Sequence, residues 1–241
     1  MTGSFRGRLD LYDDGTGGTP IDPHLRPDGR PVHDDAALVE MRIDRFVRER
    51  IIPAVHRRRA PLVATGWQVP GEPVPFGVAR TQDLEPVIPG QMWGPPWATT
   101  WFRITGDAPA GWGGDGVQLE IDVDLGYTGA QPGFQAEATV YRADGTIVKG
   151  LHPRNRHIPL QPDQGPVHLW LEAASNPDIA DGLSFRPTPL GDPATAGDRP
   201  LYRFGGVHVV ELDLTVWELL QDVRTLRGLL GQLPADLPRR A

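Results

Sequence analysis

Apolar and polar residues alternate strictly along "VQLEIDVDL". Val117, Leu119, Ile121, Val123 and Leu125 fall on one side; Gln118, Glu120, Asp122 and Asp124 fall on the other. A period of two predicts a strand that buries one face and wets the other. From Trp67 to about Val210, similar β-compatible runs recur between turn signals: "TTWFRI", "AEATVYR", "TIVKGL", "VHLWLEAA" and "GVHVVELDL". Asp144-Gly145 separates two of them and predicts a hairpin, because both residue types accept a positive φ. With no amphipathic helix between these strands, the pattern favours an antiparallel β-sandwich over a doubly wound α/β sheet.

The period changes at both ends of this region. Val39, Ile43, Val47 and Ile51, with Phe46 and Val55, form an apolar stripe at helical spacing. Asp34 or Asp35 is placed to cap this helix, and Pro53 to end or kink it near Ile52. A second helix is predicted over about 215–233, where Val216, Leu219, Leu220, Val223, Leu226, Leu230 and Leu233 make the stripe. Pro234 and Pro238 stop it. Residues 1–32 carry too little apolar surface to offset their ordering entropy and predict a loose arm. Residues 175–200 form a long proline-rich excursion between strands, a length that usually signals function or disorder.

Composition sharpens this picture. In 241 residues there are 29 glycines and 26 prolines, a load that suits short strands and turns and that helical bundles rarely tolerate. The net charge of −7 and the lack of a long basic stripe give no nucleic-acid footprint. His56-Arg57-Arg58-Arg59 is basic but isolated, and reads as a solvated helix end. The absence of cysteine excludes disulfides, thiolate metal sites and cysteine nucleophiles, and fits a cytoplasmic protein. The N-terminus lacks the apolar core of a signal peptide, and no run approaches the roughly 20 apolar residues of a membrane helix.

No complete catalytic set emerges. His152, His157, His168 and His208 match no helical ligand pair, so no metal-binding residue is assigned. His33-Asp34-Asp35 is formally His-x-Asp but reads better as a helix cap. Asp122 and Asp124 share a strand face about 6–7 Å apart, a spacing that overlaps paired glycosidase carboxylates; a solvated pair of surface acids is the better reading. The serines lack a nucleophile-elbow context, and "GWGGDG" precedes a strand where a phosphate loop would open a helix. No catalytic residue is assigned. In "GQMWGPPWATTWFRI", Trp101 sits inside a strand run and predicts core, whereas Trp93 and Trp97 flank Gly94-Pro95-Pro96. Those two rings can pack downwards or serve as stacking platforms, with packing favoured.

"WGPPWATTWFRITGDAPAGW" at 93–112, "PGFQAEATVYRADGTIVKGLHPRN" at 132–155, "LEAASNP" at 171–177, "PLYRFG" at 200–205 and "VWELLQDV" at 216–223 follow one another in this order. Together they resemble the N-terminal region of bacterial α-mannosidases of glycoside hydrolase family 38, in the cytosolic and vacuolar branch. The resemblance covers roughly residues 34–233. It implies a β-sandwich ahead of a separate catalytic domain that holds zinc through histidines and aspartates and carries an aspartate nucleophile. The entry motif of that domain, a strand ending in His-x-Asp and then Trp, is not found in this sequence.

Pattern and resemblance together predict a mainly β fold: an antiparallel β-sandwich, jelly-roll or galactose-binding-like, with an N-terminal and a C-terminal α-helix. The expected divisions are a flexible arm at 1–33, a helix packing on the sandwich at 34–60, the sandwich at 61–213, and at 214–241 a helix with the start of a linker to an absent catalytic domain. The expected role is non-catalytic docking or assembly within an α-mannosidase. A stand-alone carbohydrate-binding module and an oligomerisation domain are the alternatives. No cofactor is expected in this chain, and zinc is expected in the parent's catalytic domain. The expected partners are that domain, a second copy of the chain or an α-mannoside, with neither nucleic acid nor membrane. Trp93, Trp97, Tyr127 and Phe134 are the candidate sugar or docking contacts.

Overall fold

The computed structural model describes residues 36–131, 133–161, 165–179 and 188–233. The arm, the His33-Asp34-Asp35 cap and part of the 175–200 excursion lie outside them. The described chain is mainly β, with helices at both ends. Its helical start comprises α1 (Ala36–Phe46), a π-turn (Val47–Ile51) and α2 (Ile52–Ala54). Pro53 has no N–H to give to the carbonyl four residues back, and the helix loosens just before it. It survives Ile52 by one short turn and then stops.

Twelve strands follow: β1 (His56–Pro61), β2 (Val63–Gln68), β3 (Glu85–Val87), β4 (Met92–Trp93), β5 (Thr99–Gly106), β6 (Val117–Asp124), β7 (Ala136–Arg142), β8 (Ile147–Leu151), β9 (His157–Leu160), β10 (Val167–Ser175), β11 (Tyr202–Arg203) and β12 (Gly206–Asp213). A four-stranded sheet runs β1-β12-β6-β9, a six-stranded sheet runs β3-β2-β5-β10-β7-β8, and β11 pairs with β4 as a short ribbon. Every pairing is antiparallel. All six runs read from the sequence are strands. The sequence pattern does not mark β1, β2, β3, β4, β9 and β11.

The two sheets face each other across one core. Leu119, Ile121 and Val123 of β6 and Val207 and Val209 of β12 meet Phe102 and Ile104 of β5 and Leu171 of β10. Each such buried side chain stabilises the fold by roughly 1.5–3 kcal/mol. The six-stranded sheet also has a covered outer face. There Trp101 and Trp170 pack under Val69, Phe76 and Ala79, with α3 (Phe76–Ala79) as part of the lid.

The β7–β8 hairpin forms as expected, but only Gly145 takes positive φ, at 90°. Arg142 N–H donates to Thr146 O at 2.8 Å, so the loop holds three residues and glycine closes it in the left-handed region. Gly94 also has positive φ, at 70°, and a Cβ there would stand 2.5 Å from Ser175 Cβ.

The basic run requires a correction. His56–Arg59 is the edge strand β1, and its arginines are paired. Arg57 Nε donates to Asp213 Oδ2 at 2.7 Å, and Arg58 grips both oxygens of Glu211 at 2.5 and 2.6 Å. Arg59 Nη2 reaches Asp122 Oδ2 at 2.7 Å. The expected helix at 34–60 therefore yields to a strand from His56 onwards. Residues with no apolar alternation can form an edge strand when the next strand supplies acids in register.

α4 (Leu214–Gln232) begins where β12 ends, and Asp213 caps it by accepting from Val216 N–H at 3.1 Å. Arg227 binds Glu40 and Asp44, both at 2.8 Å, and so ties α4 to α1. Of the predicted α4 stripe only Leu220 is fully buried, against Ile51, Val55 and Leu212. Among the described residues, no helix is long and apolar enough to cross a membrane.

Candidate functional site

The outer face of the four-stranded sheet carries the polar half of the β6 alternation. Pairing sets Asp122 opposite His157 of β9 and His208 of β12, and Glu120 opposite Pro159 and Val210. β1 brings His56 and Arg59 to the same face, and Arg156 enters from the residue before β9. Ile52, Trp217, Leu220 and Arg224 of the helices, with Val55 just after α2, complete a cavity of about 350 Å³ over them.

This face is only in part the wet surface that the alternation predicted. Asp122 is 2% exposed. Arg156 binds it with both Nε and Nη2, at 2.5 and 2.7 Å, and Nη1 of the same residue lies 3.6 Å from Asp124. Arg59 adds a second cation, and His157 Nε2 stands 3.4 Å from Asp122 Oδ1. Burial pushes the Asp122 carboxyl up, but the Arg156 hydrogen bonds and charge, with His157 and Arg59, outweigh it and hold the group below its ordinary value. Asp122 and Asp124 thus share one guanidinium and are not placed as an acid–base pair.

Beside this ion cluster lie His56, Glu120 and His157. One ligand atom from each lies within 4.8 Å of the others, and the two imidazole centroids are 5.3 Å apart. Burial lowers His56, and it takes His157 down to about 4, with the neighbouring cations adding to the effect against the pull of Asp122. Both shifts favour the neutral imidazole. Burial raises Glu120, partly offset by a 2.9 Å hydrogen bond from Gln118 and by the charge of Lys149. Among the described residues, Glu120 has no ion-pair partner.

The aromatic residues singled out from sequence differ in how far they are buried. Trp93 is buried: its Nε1 donates to Leu125 O at 2.8 Å, and its ring packs on Phe102 and Tyr202 at 5.2 and 5.6 Å. Trp97 is 41% exposed with φ of 65°, and its indole N–H donates to Leu190 O at 2.9 Å. Tyr127 packs against the core from the β6–β7 loop, where Phe134 is exposed with φ of 54°. Trp101 is fully buried under Phe76 and Tyr141. A separate cavity of about 570 Å³ on the six-stranded sheet is lined by Glu137, Glu172 and His152. Tyr141 O–H donates to that Glu172 at 2.6 Å.

Sequence alone does not single out His56 and Glu120, the first because its basic run reads as a helix end. A signal was available: five acids at alternate positions of two strand runs (Glu120, Asp122, Asp124, Glu211 and Asp213) need cations if the sheet is covered. The only dense cationic run is 56–59.

Two antiparallel sheets packed face to face, closed by long connections and flanked by terminal helices, define a jelly-roll β-sandwich. The family described as alpha-mannosidase, jelly roll domain, matches residues 60–208, well over half of the chain, and the chain belongs to that family. No curated protein matches it.

Proposed function

We propose that this chain is the N-terminal, non-catalytic domain of a zinc-dependent α-mannosidase of glycoside hydrolase family 38, and that it docks the catalytic domain through its two-helix face. The family match over the jelly roll carries the reading. The helix pair supports the docking role. It leaves large apolar side chains in solvent, among them Phe46 (58% exposed), Trp217 (42%) and Leu226 (64%). Apolar surface of this kind on a helix pair marks a contact surface more often than a free one. The carbohydrate-module alternative has less support, since the ring of Trp93 is enclosed by Phe102 and Tyr202. In the parent enzyme, hydrolysis of terminal α-mannosides would proceed with retention, through a glycosyl-enzyme intermediate formed in the catalytic domain.

Two measurements test this. The purified chain with zinc and a chromogenic α-mannoside is expected to show no turnover; chain-dependent turnover would overturn the non-catalytic assignment. Sedimentation with the α-mannosidase catalytic domain encoded alongside it is expected to show a one-to-one complex, weakened about tenfold by Phe46→Asp combined with Leu226→Asp. Absence of a complex, or one indifferent to these substitutions, removes the docking role. Self-association lost with the same substitutions would assign the face to oligomerisation instead.

A further inference from the structure

We propose that His56, Glu120 and His157 form a binding site for a divalent transition-metal ion that clips β1, β6 and β9 together beneath the terminal helices. The inference is independent of the mannosidase reading and rests on the donor set, its spacing and its surroundings. The donor set is two imidazoles and one carboxylate, a combination suited to zinc and its neighbours and poorly suited to magnesium or calcium. The donor atoms already lie within 4.8 Å of one another. Around a tetrahedral ion with bonds of about 2.0–2.1 Å they would close to roughly 3.3 Å, a shift that side-chain torsions can supply.

The surroundings match what a ligand histidine requires. Such an imidazole binds the ion through one nitrogen and is oriented by a carboxylate or carbonyl at the other. Asp122 Oδ1, 3.4 Å from His157 Nε2, is positioned for that orienting role and is itself fixed by Arg156 and Arg59. Glu120, by contrast, accepts only the Gln118 amide among the described residues. The nearby cations are largely engaged elsewhere. Arg59 and Arg156 bind Asp122, and Lys149 donates to Asn155 Oδ1 and His157 O at 2.6 Å each. Arg224 lines the cavity from α4. Three protein ligands leave a coordination position facing that cavity, where water can complete the shell.

The three ligands come from distant parts of the chain, and no local spacing relates them. An ion here would tie the edge strand β1 to β9 at the opposite edge of the sheet, across β12 and β6.

The test uses the full chain, freed of metal by a chelator and titrated with Zn²⁺ by calorimetry. One equivalent is expected to bind. Glu120→Gln and His157→Gln should each weaken it at least tenfold, and His168→Gln, at an exposed strand position, should leave it unchanged. Co²⁺ titration of the unaltered chain provides a readout that needs no variant: visible bands of a low-symmetry, four- or five-coordinate ion and paramagnetic shifts of two histidine rings are expected. Absence of one-to-one binding, Zn²⁺ affinity within twofold of the unaltered chain in both variants, or Co²⁺ that shifts no histidine pair would each overturn the site.

Discussion

Arg156 performs the most demanding task of any single side chain here. Its guanidinium binds both oxygens of Asp122, a carboxylate that is 2% exposed, and also approaches Asp124. Removing one partner of a buried pair leaves the other charged and desolvated, which costs more than the pair itself contributes. Arg156→Met is therefore expected to destabilise the protein by about 2–4 kcal/mol in urea denaturation. The double variant with Asp122→Asn should recover part of that loss, because the buried charge then left to Arg59 alone is gone. Equal losses in the single and double variants would show that Arg156 acts through its aliphatic packing. Gly94 illustrates a different constraint: its positive φ and its approach to Ser175 leave no room for a side chain, which explains a glycine between two aromatic positions.

The junction of β12 and α4 depends on one residue serving two elements. Asp213 is the last residue of the strand, the cap of the helix and the partner of Arg57 on β1. The Val216 N–H, followed by Arg57, holds its carboxyl below the ordinary value. Asp213→Ala is expected to lower the midpoint of urea unfolding, as loss of a helix cap does. Hydrogen exchange should quicken in the first turn of α4 and in β1 together. Exchange confined to the helix would separate the cap from the strand pairing. The strands with regular alternation were legible because burial of one face imposes a period of two. β1 was not, because its place in the sheet depends on acids that lie about 150 residues further along, as with Arg58 and Glu211.

For the molecule as a whole, the covered outer face makes stability depend on pH. Burial lowers His56, His157 and His208, with His157 falling from 6.5 to about 4. Between those values the unfolded chain takes up protons that the folded chain refuses, so stability is lost as the pH falls through that window. The lowered carboxyls of Asp122, Glu211 and Asp213 extend the loss to more acid conditions. Glu120, raised by burial, acts in the opposite direction, but it is one group against six. In chelator-containing buffer the melting temperature is expected to fall from pH 7 to pH 4.5. A flat or rising profile would mean that these imidazoles are open to solvent in the folded protein.

Read as a linear string, the chain already specified a mainly β fold with helices at its two ends, since hydrophobic period and turn chemistry are local properties. The motifs around Trp93, Phe134 and Lys149 likewise pointed to the α-mannosidase family without any coordinates. Three-dimensional packing alone settled which polar groups meet. It turned a basic run into an edge strand and took Asp122, on the apparent solvent face of β6, out of water. It also brought His56 to Glu120 and His157, from three strands with no common spacing. The cause is physical: a buried charge or an imidazole acquires its role from its neighbours, and in an antiparallel sandwich those neighbours come from distant positions along the chain.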